Sequence, residues 1–214
     1  TKTTGEGSWI FNGVRELKKV LREVSKLRLL KLFLISFFFY NMGVQTVMYL
    51  APLFAKKELG LESANLILTI LIIQLVAIVG AMTFNYASSK LGNTKALLVG
   101  ISIWIVICGM AYFVQKGMNF YILAATIGFV MGGIQSLSRS TYSKLLPSTT
   151  KDTASYFSFY DVADKFSTVL GTFMFGFVKQ LTGDMRNSVL VIAILFVIGG
   201  IVLSRIPSKK IYTD

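Results

Sequence analysis

Apolar residues fall in six long blocks along the chain, and charge is almost confined to the gaps between them. No Asp, Glu, Lys or Arg occurs in residues 32–55, 63–89, 96–115, 117–138 or 187–204. The fifth block, roughly 155–178, is the exception and carries charge inside it. About 20 apolar residues of helix cross the hydrocarbon core of a bilayer, so every block is long enough to span it. Backbone groups in lipid must bond within their own segment, which predicts helices, and the strand alternation of a membrane barrel is absent. The expected spans are 29–54, 63–86, 95–114, 119–146, 155–180 and 188–206. Pro52, Pro147 and Pro207 lie at or near their ends, where proline disturbs a helix least. The fold class is therefore an all-α integral membrane protein of six transmembrane helices, with loops too short for a folded extramembrane domain.

Ahead of the first span the pattern changes. Residues 1–8 are small, polar and Gly-containing and read as disordered. Val14, Leu17, Leu21 and Val24 then recur at helical spacing with charges between them, an amphipathic helix with a basic polar face. Two readings fit it. One is an interfacial helix on the inner leaflet; the other is a connector from this bundle to something upstream. Trp9 and Phe11 suit the headgroup level under either reading. The expected organisation is a linker over residues 1–28, a membrane bundle over 29–206 and a tail over 207–214. Position 1 is Thr, so the chain is read as processed, truncated or part of something longer.

The chain is 54% hydrophobic with a net charge of +12, and its mean hydropathy is +0.65. In a soluble domain such charge would suggest nucleic acid, but its placement argues for a lipid bilayer as partner and no nucleic acid. With both ends on one side, sixteen of the 22 Lys and Arg lie on that side and five on the other. The positive-inside rule then makes both termini cytoplasmic. Cys108 is the only cysteine and histidine is absent. That removes His-based zinc sites, Ser-His catalysis and imidazole switches. No metal, no cofactor and no enzymatic activity are expected.

Chemistry concentrates in three spans. In the fifth, Asp161, Asp164 and Lys165 fall within an arc of about 100° at helical periodicity, joined by Ser158, Thr168 and Thr172. Phe159, Phe166, Leu170, Phe173 and Phe177 cover the opposite side. Asp161 and Lys165 have the i, i+4 spacing of a neutralising pair, which leaves one acid over, and Arg139 on the fourth span is its natural partner. Charges at membrane depth mark either a buried ion network or a substrate and ion pathway, unless the helix starts later and leaves Asp161 at the interface. With no histidine, a carboxylate such as Asp164 is the candidate proton carrier if protons are coupled. The fourth span carries a ladder of Gly128, Gly132, Ser136 and Ser140, the spacing that lets helices approach closely in lipid. Beside it run Gln135, Ser138, Arg139 and Tyr142. Arg139 either snorkels to the inner interface or takes a buried partner. On the first span Asn41, Gln45, Tyr49 and Pro52 share a face, as interhelical hydrogen bonds or as the lining of a substrate cavity.

Spans one and four each open a set of three and carry mid-span glycine with amides: Asn41, Gly43 and Gln45 in one, Gly132, Gly133 and Gln135 in the other. This suggests two three-helix repeats. The turn over residues 85–95 resembles the inner-loop signature of the major facilitator superfamily, with Lys90, Gly92 and Lys95 in the matching positions. Asn85, Ser89, Asn93 and Thr94 depart from it. Three further stretches resemble helices seven, ten and eleven of the bacterial relatives of the fungal autophagy-linked vacuolar amino-acid effluxer. They are Phe39-Tyr40-Asn41-Met42-Gly43-Val44-Gln45-Thr46, Gly132-Gly133-Ile134-Gln135-Ser136-Leu137-Ser138-Arg139-Ser140, and Ser158-Phe159-Tyr160-Asp161-Val162. Met42 stands where those relatives often carry an acid.

The resemblance implies helices seven to twelve of a twelve-helix secondary transporter, in a bacterial inner membrane. It implies a missing N-terminal half as partner and a small solute, such as an amino acid, moved by alternating access with a coupling proton or ion. Asn41, Gln45 and Gln135 would line the path, and Arg139, Asp161, Asp164 and Lys165 would form a coupling or gating network. The alternative reading is a six-helix channel or self-contained oligomer.

Overall fold

The computed structural model describes residues 6–57, 60–113, 118–147, 152–183 and 185–207. Its described residues form helices joined by short turns: α1 (Glu6–Lys26), α2 (Arg28–Lys57), α3 (Ser63–Leu91), α4 (Asn93–Phe113), α5 (Met118–Leu145), α6 (Thr153–Thr182) and α7 (Met185–Ser204). Five of these, α2, α3, α4, α5 and α7, are long and apolar enough to cross a membrane. The predicted fifth span is α6. It matches α2 in length at 30 residues, but Asp161, Asp164 and Lys165 interrupt its apolar run. It nevertheless packs along α2 and α7 within the bundle. The side chains of Trp9 and Phe11, and the tail from residue 208, lie outside the described residues.

The helix pairing is nearly symmetric. Exchanging α2 with α5, α3 with α6 and α4 with α7 maps the α3–α5 contact onto α2–α6, α4–α5 onto α2–α7, and α3–α4 onto α6–α7, while α4–α7 maps onto itself. Direction follows the same rule. Ile73, Ala77 and Phe84 of α3 meet Gly128, Gly132 and Gly133 of α5, so those helices run parallel. Phe37 of α2 stacks on Tyr160 of α6 and Asn41 reaches Ser167, so these two are also parallel. Trp104 of α4 stacks on Phe196 of α7 with centroids 5.2 Å apart, while Ile101 meets Gly200, which makes that pair antiparallel. Two three-helix repeats of opposite topology give this arrangement.

Small residues set the closest approaches. A Cβ on Gly132 would collide with the backbone of Ala77, and one on Gly80 with the carbonyl of Phe129. In lipid, where no hydrophobic drive pushes helices together, such backbone proximity supplies dispersion contact. The predicted ladder holds at Gly128 and Gly132, while Ser136 is exposed.

The turn between α3 and α4 needs a glycine at Gly92, whose φ of 86° lies in the left-handed region. Its N–H closes α3 on the Ser88 carbonyl at 2.8 Å. Lys90 lies over the Tyr86 ring and Lys95 is exposed. Asn93 next to them is buried; its amide donates to Thr141 at 3.0 Å, and Lys144 donates to its carbonyl oxygen at 3.2 Å. This turn is thereby fixed to the end of α5.

The amphipathic helix is real, but its buried face is rotated from the one expected. Val20 and Val24 are buried, whereas Val14 and Leu21 are about half exposed. The rotation has a polar cause. Glu16 accepts from the Ser155 hydroxyl at 2.8 Å and Glu23 from the Tyr156 hydroxyl at 2.8 Å, which fixes α1 against the start of α6. Asp152 caps that same end, accepting from the Ser155 backbone N–H at 3.3 Å. Hydrogen bonding from Ser155 holds the Asp152 carboxyl below the usual carboxylate range. A depressed value means the cap acts above that range and is lost as pH falls through it.

Replacing Gly132 with leucine should destabilise the bundle by at least about 1–3 kcal/mol, the range for overpacking. Thermal unfolding in detergent reads it as a lowered Tm, and Gly109→Ala, which meets nothing within 4 Å, leaves Tm unchanged. Removing the hydroxyl with Tyr156→Phe should loosen α1 by about 0.5–1.5 kcal/mol, the net worth of one hydrogen bond. Amide hydrogen exchange should then quicken in α1 and not in α4.

Candidate functional site

Three helices bring polar side chains to one cleft. Phe37, Asn41 and Gln45 come from α2, Ile134, Gln135, Ser138 and Arg139 from α5, and Tyr160, Asp161 and Asp164 from α6. The cavity holds about 190 Å³. Residues 37, 41 and 45 repeat every four along α2, as do 134/135 and 138/139 along α5, so each helix turns one stripe inward. Because α2 and α5 are symmetry mates, their amide-bearing stripes face the same space. The third wall, α6, supplies the acids.

Asp164 is the most heavily bonded group of the cleft. Its Oδ1 accepts from Asn41 Nδ2 at 2.8 Å and from Gln45 Nε2 at 3.0 Å. Its Oδ2 pairs with Lys165 Nζ at 3.2 Å. Only 19% of the Asp164 side chain is exposed, against 77% for Lys165. Asn41 also donates to the Ser167 hydroxyl at 2.7 Å, and Ser167 in turn donates to the Asp164 carbonyl. The other acid is held more loosely. Asp161 Oδ1 lies 3.6 Å from the Arg139 guanidinium, and these side chains are 55% and 61% exposed. Arg139 also stands 5.6 Å over the Phe157 ring, a cation–π contact that adds a second attachment for the guanidinium.

An aromatic floor closes the end of the cleft nearest α1. Phe37 stacks on Tyr160 at 4.4 Å, Tyr160 lies 4.9 Å from Tyr142, and Tyr142 donates to the Tyr156 carbonyl at 2.7 Å. Behind it Ser138 donates to the Ile134 carbonyl, so its 2.8 Å contact with Tyr40 is the tyrosine donating to the serine.

Of the residues singled out in the sequence, Asn41, Gln45, Gln135, Arg139, Asp161 and Asp164 meet in the cleft. Lys165 lies at its rim. The expected Asp161–Lys165 pair does not form; Lys165 bonds the adjacent Asp164 instead and Asp161 takes Arg139. Asp161 faces across the gap to Arg139 of α5, whereas Asp164 turns toward the amides of α2. Tyr49 is exposed and lines no part of the cleft. Lys90, Gly92 and Lys95 belong to the turn between α3 and α4. Phe37, Tyr160 and Ser167 were not singled out. Aromatic residues in a membrane run read as core, and Ser167 falls outside the arc of the charged stripe because it points at α2 itself. Among the described residues, no group of His, Cys, Asp and Glu is placed to hold a metal ion.

Comparison with known proteins agrees with this architecture. A family model described as "Vacuole effluxer Atg22 like" matches residues 2–214. The chain is similar to the uncharacterized MFS-type transporter YxiO of Bacillus subtilis, 32% identical over 200 residues, covering 94% of this chain and 46% of that protein. It is also similar to Autophagy-related protein 22 of Yarrowia lipolytica, 28% identical over 204 residues, covering 91% of this chain and 34% of that protein. A third relative is Autophagy-related protein 22 of Vanderwaltozyma polyspora, 30% identical over 207 residues, covering 89% and 39%. The chain thus spans less than half the length of these curated relatives. From the match along nearly all of its length, the chain belongs to the Atg22-like vacuole effluxer family.

Proposed function

We propose that this chain is the C-terminal half of a secondary active transporter for a small solute, with an amino acid as the substrate class. The observation that carries the proposal is the cleft itself. It sets a guanidinium, two carboxylates and three side-chain amides around one space. A zwitterion fits that set: its carboxylate against Arg139, its ammonium against Asp161, its remaining polar atoms against Asn41, Gln45 and Gln135. The 3.6 Å gap between Arg139 and Asp161 leaves that pair open to exchange partners with such a ligand. The word effluxer in the family description supports transport, and the aromatic floor gives the cleft a closed end.

Alternating access then rocks this bundle against an N-terminal half, of which α1 is the cytoplasmic connector. The relatives' greater length supports that second half. Charge placement supports cytoplasmic termini, and the Bacillus relative supports a bacterial inner membrane. Ion coupling runs through Asp164. Neutralising it weakens the bonds from Asn41, Gln45 and Lys165 together, and so loosens α6 from α2. No chemical step is part of this function: the cleft binds and releases, and the protein is not an enzyme.

The test is uptake of radiolabelled amino acids by proteoliposomes containing the full-length protein under an imposed proton or sodium gradient. Asp161→Asn combined with Asp164→Asn should cut gradient-driven uptake more than tenfold; unchanged uptake removes the coupling role. A stable ion conductance from this chain alone would overturn the transporter reading. Arg139→Gln should raise KM for the substrate about tenfold, since a charge-assisted hydrogen bond is worth roughly 1.5–3 kcal/mol. Exchanging the charges, Arg139→Asp with Asp161→Arg, should recover part of that loss in the same uptake assay.

A further inference from the structure

A second cavity lies on the other side of the seam between α2 and α6. It is an open crevice of about 610 Å³, lined by Leu21 and Val24 of α1, Lys31 and Phe38 of α2, and Val162 and Phe166 of α6. This volume is in the range of ligand sites, about 300–1,000 Å³. Its walls are apolar apart from Lys31 and Ser25 at the α1 end. We propose that the crevice binds one anionic glycerophospholipid, with an acyl chain along Phe38 and Phe166 and the phosphate against Lys31.

The chemistry of the rim favours that occupant. Lys31 presents an ammonium with three donors, and both salt bridges among the described residues lie in the cleft rather than here. Arg28 lies one turn before Lys31, and Lys18 one turn before Leu21, both exposed. Basic residues beside a membrane helix attract anionic headgroups. The apolar part is equally specific. Leu21 is 53% exposed and Phe166 59% exposed, although α1 has buried valines available to face inward. Docking α1 through Glu16 and Glu23 is what turns Leu21 toward the crevice. A hydrocarbon chain there covers Leu21 and Phe166 together.

Geometry separates the crevice from the cleft. Asn41, Gln45 and Asp164 stand on one side of the α2–α6 seam, whereas Phe38, Val162 and Phe166 stand on the other. The site therefore does not rest on the transport reading, and its test does not use transport.

The experiment takes the purified full-length protein and phosphatidylglycerol with a photoactivatable diazirine in its acyl chain. Crosslinks should map to the peptides holding Phe38 and Phe166, and unlabelled phosphatidylglycerol should compete where phosphatidylcholine does not. In native mass spectrometry, Lys31→Gln should lower retained phosphatidylglycerol about fivefold, the effect of one basic residue near a lipid surface, without changing retained phosphatidylcholine. Ala163→Trp should fill the crevice and lower both; if that variant does not fold, the Lys31→Gln ratio decides alone. Crosslinks spread equally over Ile78 and Met82, exposed on α3, would overturn the proposal, as would Lys31→Gln without effect. A disulfide between Phe38→Cys and the N-terminal half would also overturn it, by making that half the occupant.

Discussion

Asp164 sits midway along a helix packed within a membrane bundle, and its carboxylate is held by two amides from α2. An ionised side chain at bilayer depth costs about 2.5–3.5 kcal/mol on insertion scales. Helix six can lie in the bundle only because Asn41 and Gln45 are there to meet it. Interhelical hydrogen bonds in lipid average only about 0.6 kcal/mol each, so the lysine beside the acid is needed as well. Much follows from this requirement. It fixes the register of α6 on α2, places Asp161 opposite Arg139, and turns the amide stripe of α2 toward the stripe of α5.

Near-symmetry does the rest. The same helix contact is built twice, between α3 and α5 and between α2 and α6, from unrelated residues. Since α2 and α5 are mates, their polar stripes converge on one space, and the helix that breaks the apolar rule closes its third side. The cleft is thus a product of topology as much as of any single residue.

Much of this was legible in the sequence, because the signals are long or chemically costly. Charge-free blocks give the helices, and three charges in an otherwise apolar run give the site. Counting acids against bases called for a cation from α5, and Arg139 supplies it, though to Asp161 rather than to the acid that the i, i+4 pairing left over. Partner choice within α6 did not follow, because an i, i+4 rule describes an isolated helix and Asp164 has neighbours on α2 that the rule cannot see. The rotation of α1 was hidden for the same reason: Val20 and Leu21 are equally apolar, and Glu16 and Glu23 choose between them by bonding to residues more than a hundred positions away. The aromatic floor was invisible because tyrosine and phenylalanine in a membrane segment read as filler until a cavity lies above them.

The two equivalent seams also differ in what they respond to. Between α3 and α5 the contacts are glycine backbone against backbone and ring against ring. Dispersion of that kind is indifferent to pH and ionic strength. Between α2 and α6 one glycine, Gly171, gives a similar close approach to Met42 and Phe37 stacks on Tyr160, but this seam also holds a carboxylate bonded by two amides and paired with a cation. That attachment changes with protonation, with salt and with any charge that enters from solution. The bundle is therefore a pair of matched joints of which only one has a chemical control, so a local change of charge moves it asymmetrically.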